Sequence, residues 1–117
     1  MSELLTSGDV KLYAHHWPVD QAVSVMVLIH GFGEHGGRYG PMASYLNSQK
    51  IAVVGADLRG HGRTKGKRGV IRNFDEFRTD VKSIIAYAQT LYPNVHLTLF
   101  GHSMGGGIVL DLSLIHI

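Results

Sequence analysis

The sequence predicts an α/β domain in which parallel strands alternate with helices behind an N-terminal hairpin. Two segments, 23–30 and 51–57, are short, apolar and rich in β-branched residues, as expected of strands buried on both faces of a sheet. The segments that follow them carry apolar residues at helical spacing. This alternation is typical of a parallel sheet flanked by helices.

Each predicted element has a local cause. Segments 4–6 and 10–17 flank a turn at 7–9 and predict the hairpin, while Pro41 suits the first turn of a helix that ends near residue 49. Asn73 and Glu76 resemble a capping box at the start of a long helix, which ends before Pro93. We predict a buried strand over 95–100 and a new helix from Gly105. The long helix should turn one apolar side to the sheet, through Phe74, Phe77, Val81, Ile84, Ile85, Ala88 and Leu91.

Composition predicts one ordinary globular domain. The chain has 117 residues, of which 44% are hydrophobic and 17% charged. Because cysteine is absent, a disulfide scaffold, a thiolate zinc site and a thiol nucleophile are excluded. The eight histidines show no metal-ligand spacing, and we expect neither metal nor cofactor. No signal peptide and no bilayer-spanning run is evident, so a cytoplasmic location is expected.

Basic residues are concentrated in one glycine-rich stretch. The net charge is only +2, but six of the eleven basic residues fall between positions 59 and 72: Arg59, Arg63, Lys65, Lys67, Arg68 and Arg72. A patch for phosphate, nucleic acid or a membrane surface is one interpretation, and a solvated loop is the other. We favour the solvated loop and expect no nucleic-acid partner, because no aromatic residue is interleaved to stack on bases. The sequence does not predict an oligomeric state.

A serine lies in the motif Gly-x-Ser-x-Gly at 101–105, with Ser103 at its centre. A predicted strand enters this motif and a predicted helix leaves it, which is the context of a nucleophile elbow. Glycines flank such a serine because side chains there would collide with the strained turn. Serine needs a base that is itself oriented by an acid.

An earlier glycine loop, after strand 23–30, supports two interpretations. Its Gly31, Gly33 and Gly36 match the dinucleotide fingerprint, and Asp57 stands where a ribose-binding acid is expected. However, Pro41 places the helix start several residues beyond the glycines, whereas that fingerprint needs a helix N-terminus within them. We therefore favour an oxyanion hole, to which the backbone N–H groups of Phe32 and of Met104, the residue after the serine, would contribute.

Three motifs together resemble one family. They span 30–39 (HGFGEHGGRY), 57–64 (DLRGHGRT) and 101–106 (GHSMGG), and they look like those of the monoacylglycerol lipase and lysophospholipase branch of the α/β-hydrolases, serine aminopeptidase S33-like enzymes among them. The resemblance covers about residues 9–111. Thr64 departs from the serine usual at its position but keeps the hydroxyl.

The resemblance implies an esterase that acts on a lipid ester. Ser103 would be the nucleophile, with Phe32 and Met104 as oxyanion donors. Glu34 and Arg38 would bind a polar alcohol such as glycerol, or would form an ion pair that steadies their loop. Peptidase, thioesterase and acyltransferase activities stay open, as does a transient contact of the intact protein with a membrane surface. The alternative from another class is a dinucleotide-binding module.

Family members carry the triad acid and histidine well after the nucleophile, and we expect both to be absent from this chain. Asp111 is too near Ser103 in sequence to serve as the acid. Residues 112–117 equal the translation of CTG TCT CTT ATA CAC ATC, which looks like a transposase-type sequencing adapter, so the only later histidine, His116, is suspect.

We therefore expect residues 1–111 to be the N-terminal part of one hydrolase domain with an incomplete sheet. We also expect the 117-residue chain to be inactive and poorly soluble, because strand 95–100 would form an apolar edge. Genomic sequence downstream of the Asp111 codon tests this origin of the tail.

Overall fold

Five strands and two helices form the part of the chain that a computed structural model describes, namely residues 2–8, 10–30, 39–59, 64 and 74–101. In chain order they are β1 (Ser2–Ser7), β2 (Val10–Trp17), β3 (Ser24–Ile29), α1 (Gly40–Ser48), β4 (Ile51–Asp57), α2 (Phe74–Leu91) and β5 (His96–Gly101). The predicted α/β class, hairpin and helices are confirmed, with bounds that shift by one or two residues. The capping residue Asn73 and the helix from Gly105 lie outside the described residues.

One mixed sheet contains all five strands, in the order β1-β2-β4-β3-β5. β1 and β2 pair antiparallel up to Ser7 and Val10, and Gly8 in the turn between them has φ +58°, a backbone conformation open to a residue without Cβ. β2 also pairs antiparallel with β4, whereas β4, β3 and β5 run parallel. The sheet therefore has an antiparallel edge, formed by β1 and β2, beside a parallel part formed by β4, β3 and β5. The carboxyl ends of these three parallel strands lead into the three sequence motifs.

In the described part of the chain, one helix packs on each face of the sheet. Successive strand residues point to opposite faces, so Val27 packs in the core under α2 while Leu28 packs in the core under α1. On α2, the buried apolar side chains are Phe77, Val81, Ile84 and Ala88, as the helical spacing predicts. Ile85 is partly buried, whereas Leu91 is exposed at the end of the helix, so the prediction for Leu91 is wrong. α1 contributes the buried Ala43 to the smaller core. With helices on both faces, six of the seven residues of β4 and four of the six residues of β3 are buried.

β4 and β3 approach each other closely at one glycine. Gly55 is paired with Leu28, and a Cβ built on Gly55 would lie 3.1 Å from the Leu28 carbonyl oxygen. A Cβ at this position would therefore require the Leu28 backbone to shift by a few tenths of an ångström.

The prediction of a buried strand before Ser103 is wrong in one respect. No residue of β5 is buried, and His96 and Thr98 are exposed. The reason is position: among the described strands β5 pairs only with β3, so its other side lies at an edge of the sheet.

A tyrosine at the end of α2 links stability to alkaline pH. The Tyr92 hydroxyl lies 2.6 Å from His16 Nε2, and burial raises the pKa of Tyr92 above its usual value, with a hydrogen bond to the Val19 backbone partly opposing this. A phenol whose pKa is higher in the folded than in the unfolded state stabilises the fold fully below about pH 10, the unfolded pKa. We expect the free energy of unfolding to fall as pH rises through the folded pKa.

Urea unfolding at pH 8 and at pH 11 measures this effect. Tyr92→Phe should reduce the loss of stability between the two pH values, since phenylalanine cannot ionise. Tyr45→Phe is the matched control, because Tyr45 is 65% exposed on α1. An equal pH dependence in the wild type and in Tyr92→Phe would show that Tyr92 does not cause it.

Candidate active site

The strands that precede two of the three motifs end side by side. β3 and β5 are parallel neighbours, and Ile29 is level with Gly101. The chain leaves β3 toward Gly31 and leaves β5 toward Ser103 from adjacent points on the same edge of the sheet. Ligands of open α/β sheets bind at this carboxyl edge. The predicted site residues themselves lie outside the described residues: Phe32, Glu34, Arg38, Ser103 and Met104.

His30, the first residue after β3, is buried and hydrogen-bonded. Its side chain is 1% exposed, and its Nε2 accepts a hydrogen bond of 2.9 Å from the Leu58 backbone N–H. In the neutral ring this places the proton on Nδ1. His30 thus joins the start of the first glycine loop to the chain that follows β4. Its place at the head of the first motif was visible in the sequence, but its partner was not.

Thr64 closes the loop that follows β4. Its hydroxyl donates to the Asp57 carbonyl oxygen at 2.5 Å and accepts from the Tyr13 backbone N–H at 2.8 Å. The side chain is buried, and both bonds need only a hydroxyl. This explains why threonine can stand where the resembling family has serine.

We expect Thr64→Val to destabilise the protein by about 2 kcal/mol, because the nearly isosteric valine leaves the partly buried Tyr13 N–H and the buried Asp57 carbonyl without this partner. Thr64→Ser retains the hydroxyl and should cost less than about 1 kcal/mol. Urea midpoints of the two variants measure the difference. Equal destabilisation by valine and serine would contradict the assigned role of the hydroxyl.

Arg59 is neither part of an open basic patch nor a solvated side chain, so both interpretations are wrong for this residue. Its side chain is only 13% exposed. Nη2 lies 2.7 Å from Asp80 Oδ1, Nε lies 3.0 Å from Asp80 Oδ2, and Nη1 lies 2.9 Å from Glu76 Oε2. Asp80 also accepts a hydrogen bond of 2.6 Å from the Ser7 hydroxyl. The other five basic residues of the stretch lie outside the described residues.

This ion-pair network holds the loop after β4 against α2 and β1. Asp80 is fully buried on the sheet-facing side of α2, where the helical pattern predicted only apolar contacts. A buried carboxylate requires a paired cation and further hydrogen bonds, and Arg59 and Ser7 supply them. The described part of the second motif therefore has a structural role, as a support beside the carboxyl edge.

Asp57 occupies the end of β4, as the dinucleotide alternative requires, but its carboxylate is already engaged. Asp57 is 1% exposed, and its Oδ1 lies 2.9 Å from Nε2 of His15 on the neighbouring strand β2. His15 in turn stacks on Trp17, with ring centroids 5.7 Å apart. A ribose hydroxyl would have to displace this buried pair. The three glycines of that alternative lie outside the described residues.

Within the described ranges, no three histidine, aspartate or glutamate side chains group in a way that could hold a metal ion. None of the helices described is both long and apolar enough to cross a membrane.

Solved structures identify the fold. A thermostable carboxyl esterase from Bacillus coagulans, crystallised with glycerol, superposes with a TM-score of 0.85 at 27% identity, over 99% of this chain and 39% of the esterase. The protein is thus an α/β-hydrolase in fold, which confirms the predicted class. The sheet order, the parallel β4-β3-β5 part and the helices on both faces are the described portion of that fold.

The family follows from the sequence comparisons. A family model described as "Serine aminopeptidase, S33" matches residues 20–116, and the chain belongs to this family. The monoacylglycerol lipase of Mycolicibacterium smegmatis is 39% identical over 103 residues, which are 87% of this chain and 37% of that enzyme. The phospholipase YtpA of Bacillus subtilis is 39% identical over 95 residues, which are 81% of this chain and 36% of the relative. The chain thus spans little more than a third of the length of these relatives. Membership of this family does not favour the alternative interpretation of the chain as a dinucleotide-binding module.

Proposed function

We propose that the full-length protein, meaning the product of the gene as it stands in the genome, is a serine ester hydrolase that cleaves monoacylglycerol or lysophospholipid. The observation that carries the proposal is the register of β3 and β5, whose ends bring the start of the glycine loop and the start of the serine motif to one point of the sheet edge. The family and the relatives named for monoacylglycerol and phospholipid substrates support the substrate class.

The mechanism follows from the residue types. Ser103 Oγ attacks the acyl carbonyl carbon while a histidine base takes its proton. The backbone N–H groups of Phe32 and Met104 hydrogen-bond the oxyanion of the tetrahedral intermediate. The alcohol leaves with the proton, and water then attacks the acyl-enzyme and releases the fatty acid. The 117-residue chain alone does not turn over on this proposal, because its serine has neither triad acid nor histidine.

Steady-state hydrolysis of matched substrates by the full-length protein tests the substrate class. We expect monoacylglycerol or lysophosphatidylcholine to be cleaved with a kcat/KM at least about tenfold above that of an aminoacyl anilide of the peptidase class. Cleavage of the anilide alone would contradict the proposal. Binding of NAD without hydrolysis of any ester would instead support the alternative of a dinucleotide-binding module.

Two esters that differ only in their alcohol leaving group distinguish the two possible roles of Glu34 and Arg38. If they bind a glycerol head group, Glu34→Gln and Arg38→Gln should raise KM for a monoacylglycerol and leave KM for the methyl ester of the same fatty acid unchanged. A fall in stability with equal effects on both esters would instead support the alternative of an ion pair that steadies the loop.

A further inference from the structure

Strand β1 lies at the edge of the described sheet opposite to β5. Among the described strands it pairs only with β2, and this pairing runs from Ser2 to Ser7 without a bulge. One side of its backbone therefore has no partner within the described sheet. Exposed edge strands are usually protected by proline, by bulges or by several charges, whereas the sequence Ser-Glu-Leu-Leu-Thr-Ser has no proline and one charge. β1 thus lacks the usual barriers to pairing with another strand.

The hairpin turn determines which backbone groups of β1 point outward. Two residues separate Ser7 from Val10, so this pair closes the hairpin and exchanges hydrogen bonds. Hydrogen-bonded and non-hydrogen-bonded pairs alternate along an antiparallel ladder, so Leu5 is the next residue bonded to β2. The N–H and C=O groups of Leu4 and Thr6 are therefore directed away from β2, toward the outer edge.

Leu4 adds an apolar side chain in the middle of this edge. Its neighbour Leu5 is buried in the core under α2, and the alternation of side chains places Leu4 on the opposite face. The helix on that face, α1, packs mainly against β4, and Leu4 is 59% exposed although it is paired with Tyr13 on β2. The edge thus offers outward backbone groups together with an exposed apolar side chain.

We propose that two copies of the full-length protein associate through their β1 strands, which pair antiparallel about a two-fold axis at Leu4. In this register the two Leu4 residues exchange a pair of hydrogen bonds, and Ser2 stands opposite Thr6. Glu3 stands opposite Leu5, so the only charged residue of the strand does not oppose its own copy. A two-fold contact must be complementary to itself, and this strand meets that condition. A second copy of this chain is therefore the partner that the edge fits.

Disulfide cross-linking of single-cysteine variants of the full-length protein tests this register, with the wild type as the blank. Residues 1–117 contain no cysteine. The Cα atoms of a directly opposed, hydrogen-bonded pair lie about 5.5 Å apart, which is within disulfide range. Mild oxidation should therefore link most of Leu4→Cys into a dimer on a non-reducing gel.

Thr6→Cys is the matched control for the cross-link. Thr6 is also exposed on β1, but the proposed register separates the two Thr6 residues by on the order of 14 Å along the strands. We expect Thr6→Cys to give at least about fivefold less dimer than Leu4→Cys under the same oxidation, because this distance exceeds the reach of a disulfide.

Sedimentation equilibrium measures the association itself. We expect the wild type to reach twice the monomer mass at high micromolar concentration. Leu4→Pro removes the outward N–H of each copy and keeps the bonds to β2, so it should raise the dimer dissociation constant at least about tenfold. If Leu4→Pro fails to fold, Leu4→Lys replaces it, because two like charges would then meet at the axis. Val23→Lys should leave the mass unchanged, since Val23 is 65% exposed but lies outside β1.

The results that would overturn this interface are distinct. A monomeric wild type would do so, as would equal cross-linking of Leu4→Cys and Thr6→Cys. A dimer that both Leu4→Pro and Leu4→Lys leave intact would show that the copies meet through another surface. A monomer that binds vesicles of phosphatidylcholine and phosphatidylglycerol, and loses this binding in Leu4→Lys, would assign the edge to a membrane surface instead. None of these measurements depends on ester hydrolysis, so they leave the proposed function untouched.

Discussion

Ser103→Ala in the full-length protein is expected to lower kcat/KM for ester hydrolysis by about 10⁴- to 10⁶-fold. The acyl-enzyme cannot form without the serine oxygen, so the whole covalent route is lost, and only binding and the oxyanion donors remain. Because the change removes one oxygen atom from the side chain, the free energy of unfolding should change little.

The matched control is Ser48→Ala, which removes the same atom from an exposed serine at the end of α1 and should leave kcat/KM unchanged. Initial rates with a monoacylglycerol measure both variants. A Ser103→Ala enzyme that keeps most of its activity would contradict the nucleophile, and activity that depends on NAD would point to the alternative class.

Asp80→Ala is expected to destabilise the protein by about 3–5 kcal/mol, because it leaves a largely buried guanidinium without its main counter-charge. Asp80 is fully buried and lies 2.7 Å from Nη2 of Arg59, with the Ser7 hydroxyl 2.6 Å away. Its loss would break the link between the chain after β4 and Ser7 of β1, and would leave Glu76 as an acidic partner of Arg59 on α2. Urea unfolding followed by circular dichroism measures the change.

The same helix provides the control for this variant. Asp75 also forms an ion pair, with Arg78, but its side chain is 81% exposed. Exposed pairs contribute little, so Asp75→Ala should cost less than about 1 kcal/mol. Similar losses in both variants would contradict the importance of burial. In Asp80→Ala, a further Arg59→Met change should recover part of the lost stability, since it removes the unpaired charge.

Local patterns in the sequence predicted the elements of the fold well. The β-branched segment 51–57 is β4 to the residue, and the apolar spacing from Phe77 to Ala88 marks the buried side of α2. Hairpin, helix and strand signals act over a few residues, so the sequence displays them directly. The motif order likewise predicted the family, which the comparisons confirm.

Local sequence patterns could not predict contacts between residues that are far apart in the sequence. Ser7 and Asp80 are 73 positions apart, and His30 and Leu58 are 28 apart. The insertion of β4 between β2 and β3 brings such pairs together, and no local signal specifies that order. The charged Asp80 on the apolar side of α2 indicated that a buried partner must exist, but the sequence alone did not identify that partner as Arg59. The roles of Phe32, Glu34, Arg38, Ser103 and Met104 stay predictions.

Labelling with a fluorophosphonate, followed by peptide mass spectrometry, tests the central claim most directly. In the full-length protein we expect rapid, stoichiometric modification of Ser103 that excess monoacylglycerol slows. If the triad base is absent from the 117-residue chain, as the family resemblance predicts, that chain should react far more slowly. Labelling of another residue, or no labelling of a folded full-length protein, would contradict the proposal that Ser103 is the nucleophile. Rapid labelling of Ser103 in the 117-residue chain would contradict the expectation that this chain lacks the triad base.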